Sequence, residues 1–164
     1  MTGWFVVNTK ARREAFAQLQ LAQRGVETFL PRILERGRYG AAPTVAPLFP
    51  GYLFACLDLA RQHGAVIWTP GVRKLVGFGA TPSPVDDDVV AFLQERVGHE
   101  GILRPTSSLK AGDLVRVTHG PFEGLVGIID RPVGARGRVR VLMDLLRRQT
   151  QVEVPEHMLE RISA

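Results

Sequence analysis

Apolar positions along the 164-residue chain recur every second residue in some stretches and every third or fourth in others, and the alternation lays out the elements. Trp4 to Asn8 reads as a first strand. From about Arg12 to Arg24 the spacing turns helical, with Ala15, Phe16, Leu19, Leu21 and Ala22 as its apolar positions and Gly25 as its stop. Val26 to Leu30 is a second strand ending at Pro31. Between Arg32 and Pro47, Arg32, Arg36, Gly37, Arg38, Gly40, Pro43 and Pro47 accumulate with few large apolar side chains, which predicts a mobile hairpin or loop that packs little core. Pro50-Gly51 is a strong turn signal before a third strand, Tyr52 to Asp58. Alternation puts Tyr52 and Phe54 on one face and Leu53 on the other. Two large aromatics on one sheet face mark either a core layer or a docking surface. Leu59 to Trp68 is expected to be helical, Arg73 to Phe78 a fourth strand, and Asp86 to about Val97 a further helix.

After Val97 the chain changes character. Gly98, Gly101, Pro105, Thr106, Ser107 and Ser108 have the makeup of an interdomain linker, so we divide the sequence into residues 1–97, a linker over 98–108 and a second domain over 109–164. That second domain offers short strands at Leu114 to Thr118, Leu125 to Asp130, Arg138 to Met143 and Gln151 to Val154, with glycine and proline between them and a short helical turn near Pro155 to Leu159. About 55 residues of this kind suit a small barrel.

Composition changes the picture mainly through charge. The net charge of +5 is unevenly spread: Met1 to Lys74 holds ten Lys and Arg against four Asp and Glu, a net of +6, while Leu75 to Ser108 is at −3 and Leu109 to Ala164 at +2. A basic first half fits a face near nucleic acid, or a solvated surface. No apolar run approaches the roughly 18 residues that span a bilayer, and no secretion signal precedes the first strand, so a cytoplasmic location is expected. The lone Cys56 has no partner for a disulfide or a metal and reads as a small buried hydrophobe.

Several features imitate chemistry. Asp86-Asp87-Asp88 looks like a metal site but is better read as carboxylates serving a helix's first turn. Gly77-x-Gly79 lacks the third glycine of a phosphate-binding loop. His63, His99, His119 and His157 lie in separate segments without ligand spacing. With no nucleophile, base, metal or cofactor motif to name, catalysis is not expected.

The order of four blocks carries more information than any of them alone. Trp4-Phe5-Val6-Val7-Asn8-Thr9, Phe49-Pro50-Gly51-Tyr52-Leu53-Phe54, Pro70-Gly71-Val72 with Gly77-Phe78-Gly79, and Gly112-Asp113-Leu114-Val115-Arg116-Val117 with Gly120-Pro121-Phe122-Glu123-Gly124 together make the chain resemble the NusG family of transcription elongation factors. The resemblance covers nearly the whole chain. It implies an α/β N-terminal NGN domain, an antiparallel sheet with flanking helices, and a small all-β C-terminal KOW domain of SH3-like barrel form. Pro47-Leu48-Phe49-Pro50, the immediate start at Trp4, and Leu142 to Arg148 look closer to the specialised RfaH-like subgroup.

The same resemblance implies a monomeric factor whose apolar depression accepts the clamp helices of the RNA polymerase largest subunit. Tyr52 and Phe54 would line it, with Phe78 and Leu93 as further contacts or as core. His63, within Gln62-His63-Gly64, partly matches a polar tripeptide that touches the polymerase's opposite jaw. Lys10, Arg12 and Arg13, joined by Arg73 and Lys74, would read the non-template DNA strand, although Asn8 replaces an aromatic of the RfaH-like pattern. Through Phe122 the KOW domain would bind ribosomal protein S ten or Rho. Two other readings stay open: general NusG, and a ribosome-associated KOW protein that binds RNA. Some relatives convert the C-terminal domain to a helical hairpin. Here Val139, Leu142, Met143 and Leu146 fit either state, but a helix over His119 to Asp130 would have to absorb Gly120, Pro121, Gly124 and Gly127, so a constitutive barrel that leaves the Tyr52 face unmasked is expected.

Overall fold

The computed structural model describes residues 1–35, 41–106, 109–129, 138–140, 152–154 and 156–163. In chain order they form β1 (Thr2–Thr9), α1 (Glu14–Gln23), β2 (Glu27–Phe29), β3 (Arg32–Glu35), β4 (Thr44–Pro47), β5 (Tyr52–Asp58), α2 (Leu59–Ile67) and β6 (Val72–Leu75). There follow β7 (Gly77–Phe78), β8 (Thr81–Pro82), β9 (Pro84–Val85), α3 (Asp87–Val97), β10 (Ile102–Thr106), β11 (Leu114–Val117), β12 (Val126–Ile129), β13 (Arg138–Arg140), β14 (Val152–Glu153), a short 3-10 turn (Glu156–Met158) and β15 (Leu159–Ser163). The chain separates into two compact units, residues 1–32 with 47–95 and residues 33–46 with 96–164.

The first unit is an α/β domain on a five-stranded sheet of order β2-β5-β1-β6, with β9 also on β1. β1 and β5 run antiparallel in an unbroken register from Thr2↔Asp58 to Asn8↔Tyr52. One sheet face carries Phe5, Val7, Leu53, Ala55, Leu57, Val72 and Leu75, packed with Ala17 and Leu21 of α1 and Val66 of α2. Ala17 and Leu21 are four apart and so share a helix face. Phe16 and Leu19, which fit the same stripe by spacing, lie on the exposed side instead, because the junction before α1 orients Glu14, not Phe16, inward. Gly25, at φ +76°, ends the helix in the left-handed region, its N–H bonded to Ala22 O and that of Val26 to Leu21 O. Asp58 caps α2: its Oδ1 accepts the Ala60 N–H at 3.1 Å, while Gln62 Oε1 accepts the Asp58 N–H at 2.8 Å. Asp86 caps α3, accepting the Asp88 N–H at 3.0 Å, which is the work expected of the acidic triplet.

Two segments differ in part from the reading by sequence. Arg32 to Pro47, read as a hairpin or loop that packs little core, supplies the neighbouring strands β3 and β4, and these extend an eight-stranded sheet of order β14-β13-β12-β11-β15-β10-β3-β4. The sparse apolar residues of this stretch suffice: Ile33 is buried, and Pro31 O accepts the Leu48 N–H at 2.8 Å, closing the base of the excursion. The expected strand from Arg73 to Phe78 breaks at Val76. A Cβ on Gly77 would collide with the backbone of Thr81 and Pro82, so only glycine lets the chain turn there into the separate β7-β8 hairpin.

In the second unit β11 pairs with β12 and β15, and β15 with β10, all antiparallel. β10 falls within the stretch read as linker; Leu103 is fully buried there. Val115, Val117, Ile129, Val154 and Leu159 form a core, and Val126–Ile129 is a strand, so the described part of His119 to Asp130 is not helical. Beyond Arg140, the segment compatible with either helix or strand lies outside the described residues.

Candidate functional site

The Pro50-Gly51 turn is fastened to the junction between β1 and α1. Phe49 O accepts the Tyr52 N–H at 3.0 Å, and Gly51 sits at φ +86°, the geometry of a type II turn with proline and glycine at its centre. Every polar group of Gly51 is used. Its carbonyl accepts the Thr9 N–H at 2.8 Å and the Asn8 side-chain amide at 3.0 Å, and its N–H donates to Glu14 Oε1 at 2.8 Å. Glu14 is buried at 8% exposure, so this carboxylate belongs to the turn and not to solvent. Asn8, the departure from the RfaH-like pattern, thus has a structural task.

A second turn meets the same junction. Gly71, at φ +90°, accepts the Lys10 N–H at 2.8 Å. A Cβ there would press on Phe16 Cδ1 at 3.0 Å and Ala17 Cβ at 3.2 Å, so glycine permits the close approach of α1 to this turn. The junction itself turns at Arg12, which holds φ +60°, with the Arg13 N–H bonded to Lys10 O at 3.0 Å. This is the one non-glycine residue among those described with positive φ. Lys10, Arg12 and Arg13 are all exposed. The Arg13 guanidinium lies 5.5 Å from the Phe16 ring centre, and Lys10, Arg13, Phe16, Pro70 and Gly71 line a shallow cavity of about 260 Å³. Arg73 and Lys74 are exposed on β6, where Lys74 pairs with Asn8 across the sheet.

The aromatic candidates divide. Phe54 is 1% exposed, stacked 5.9 Å from Phe29 and edge-on 6.0 Å from Phe49. Tyr52, two residues earlier on the same face, is half-buried. Leu93 is fully buried, whereas Phe78 stands 75% exposed at the end of β7. His63 is half-buried on α2, and its neighbour Gln62 is engaged with the helix cap. In the second unit Phe122 is 40% exposed in a turn fixed by Glu123 N–H to Gly120 O and Gly124 N–H to Val117 O, with Gly120 and Gly124 at φ +90° and +88°. Burial pushes the Cys56 thiol upward, with the Glu27 and Asp87 carboxylates adding to it, which leaves it a poor nucleophile.

Sequence reasoning does not single out Glu14, Phe16 or Trp68. In the sequence Glu14 is an ordinary acid at a helix start and Phe16 an ordinary core position. What sets both apart is their place beside Pro50-Gly51 and Pro70-Gly71, which only the fold supplies.

The sequence profile of the family described as "Transcription termination factor nusG" matches residues 2–94. The "Transcription termination/antitermination protein NusG" of Thermus thermophilus is 30% identical over a 172-residue alignment covering 92% of this chain and 94% of that protein. The protein of the same name from Deinococcus radiodurans is 34% identical over 122 residues, 65% of this chain and 64% of that one. A solved structure described as "Domain interaction in Thermotoga maritima NusG" is 23% identical, covers 98% of this chain and 97% of its own, and superposes with a TM-score of 0.46.

Proposed function

This chain belongs to the NusG family, and from that premise we propose that it acts in transcription elongation, holding RNA polymerase with an apolar surface and the non-template DNA strand with a basic one. One observation carries the reading: the single residue Gly51 ties the strand bearing Tyr52 and Phe54 to the junction bearing Lys10, Arg12 and Arg13. A partner gripped at one is placed relative to the other. In this reading Tyr52 and Phe78 touch the clamp helices of the largest subunit, while Phe54 and Leu93, both buried, belong to the core. Lys10, Arg12 and Arg13, with Arg73 and Lys74, meet the phosphates. His63 faces the opposite jaw of the polymerase, and Phe122 serves a second partner of the C-terminal domain, ribosomal protein S ten or Rho.

The test is a transcription assay with purified polymerase. Added protein should change pausing or termination and co-elute with polymerase. The Lys10, Arg12 and Arg13 triple alanine variant should flatten the slope of log affinity against log salt by about 1 for each phosphate that it no longer neutralises. Unchanged pausing together with no co-elution sinks the reading. Its finer form is a specialised, RfaH-like factor, supported by the Pro47-Leu48-Phe49-Pro50 block. Genome occupancy confined to particular operons is expected for it; occupancy that follows polymerase everywhere leaves the general factor.

A further inference from the structure

Trp68 is 83% exposed, the barest aromatic side chain among the described residues. Its backbone is nonetheless held firmly. The Trp68 N–H bonds to Gly64 O at the end of α2, the Thr69 N–H to Val66 O, and Thr69 Oγ1 donates to Ala65 O at 2.7 Å. Thr69 is buried, and Thr69 O accepts the Val72 N–H to close the turn over Pro70 and Gly71. With the backbone fixed and the indole in water, a flat group that lands on it has only the two side-chain torsions of one large ring to immobilise.

Its position gives the indole an occupant. Gly71 O accepts the Lys10 N–H, and Pro70 and Gly71 form one wall of the cavity whose other walls are Lys10, Arg13 and Phe16. Trp68 is three residues from Gly71, so their Cα atoms are at most about 11 Å apart. With bases stacked about 3.4 Å apart along one strand, that is roughly three nucleotides. Arg13 lies over the Phe16 ring, whereas the indole of Trp68 is far barer and offers its face to a base. Cations for phosphates beside a bare aromatic face are what single strands require, whereas the paired bases of a duplex keep their faces covered.

We propose that Trp68 stacks on an unpaired base of a single-stranded nucleic acid whose phosphates lie on Lys10, Arg12 and Arg13. This rests on the nucleic-acid reading of the basic junction and adds to it the residue that distinguishes single from double strands.

The chain has two tryptophans, so a Trp4→Phe protein reports on Trp68 alone. Its fluorescence should be quenched by a 12-nucleotide oligodeoxythymidine and by the matching oligouridine, and not by an abasic strand of the same length or a blunt duplex. The relative quenching by the two oligonucleotides tells DNA from RNA. Trp68→Ala should weaken oligonucleotide binding by about 5- to 150-fold, the value of one base–aromatic stack, with the salt slope unchanged. Trp68→Phe should restore most of that affinity. A Trp68→Ala protein that binds the oligonucleotide like wild type overturns the proposal while leaving the basic junction intact. If that variant fails to hold polymerase instead and keeps the oligonucleotide, the indole belongs to a protein contact and the proposal is equally overturned. Wild-type salt dependence in the Lys10, Arg12 and Arg13 triple variant removes the underlying reading itself.

Discussion

Glu14 Oε1 accepts the Gly51 N–H at 2.8 Å across 37 residues of sequence, joining the first turn of a helix to the turn before the central strand. The carboxylate is buried and the bond partly so, and its removal leaves the Gly51 N–H without its partner. Glu14→Ala should cost about 1–3 kcal/mol of stability, and Glu14→Gln, which keeps an acceptor in place, distinctly less. Gly51→Ala meets no crowding, its nearest neighbour being Asn8 Nδ2 at 3.9 Å, but the φ of +86° should cost about 1–2 kcal/mol. Denaturant unfolding of the three variants checks this; equal stabilities for Glu14→Ala and Glu14→Gln would show that the hydrogen bond contributes nothing.

Arg12 stores strain. Its φ of +60° is held by the bonds of Thr9 to Gly51 and of Lys10 to Gly71 on one side, and of Arg13 to Lys10 on the other. A β-carbon in that region is costly, and such strain persists where the surroundings over-determine it. Arg12→Gly should therefore raise stability or leave it unchanged, within about 1 kcal/mol, while weakening nucleic-acid binding. A clear drop in stability would mean that the arginine side chain has a structural contact that outweighs the strain.

Tyr52, Phe54 and Phe78 should respond differently to alanine. Phe54, wedged between Phe29 and Phe49, should lose about 3–5 kcal/mol of folding stability. Phe78 is largely in solvent, so its replacement should change stability by no more than about 0.5 kcal/mol. If Tyr52 and Phe78 touch polymerase, each replacement should weaken its binding, the stronger of the two by about 2 kcal/mol, in a protein whose melting is near wild type. Normal binding by the Tyr52→Ala, Phe78→Ala double variant removes the apolar surface from the proposal.

How far the sequence reaches depends on how local the determinant is. Tyr52–Asp58 stands where alternation and the Pro50-Gly51 turn put it, because both signals lie within the strand or beside it. The orientation of α1 is not legible: Phe16 and Leu19 fit an apolar stripe as well as Ala17 and Leu21 do, and the choice is made by Glu14 reaching Gly51, a partner far along the chain. β15 is hidden because its buried residues, Leu159 and Ile162, are three apart and break the period of two. For the site, charge pattern finds Lys10, Arg12 and Arg13. It does not reveal that Phe54 is covered while Trp68 is bare, since both are simply aromatic in the sequence.

β3, in the stretch read as a hairpin or loop, is tied down by an ion pair. Within the second unit Glu35 Oε1 meets an Arg116 guanidinium nitrogen at 2.7 Å, the two side chains being 36% and 21% exposed. Glu35 comes from the first third of the chain and Arg116 from β11, so the pair reports whether β3 is seated on the C-terminal strands. Partial exposure limits its strength to that of a surface pair, about 0.2–1 kcal/mol. A double-mutant cycle of Glu35→Ala and Arg116→Ala should return a coupling energy in that range, shrinking as salt is raised through the screening regime. Amide exchange gives the companion measurement: residues 33–35 should be protected in the full chain and less so with Arg116→Ala. Zero coupling with unprotected amides over 33–35 would show that the excursion from Arg32 to Pro47 packs as little as its composition suggests.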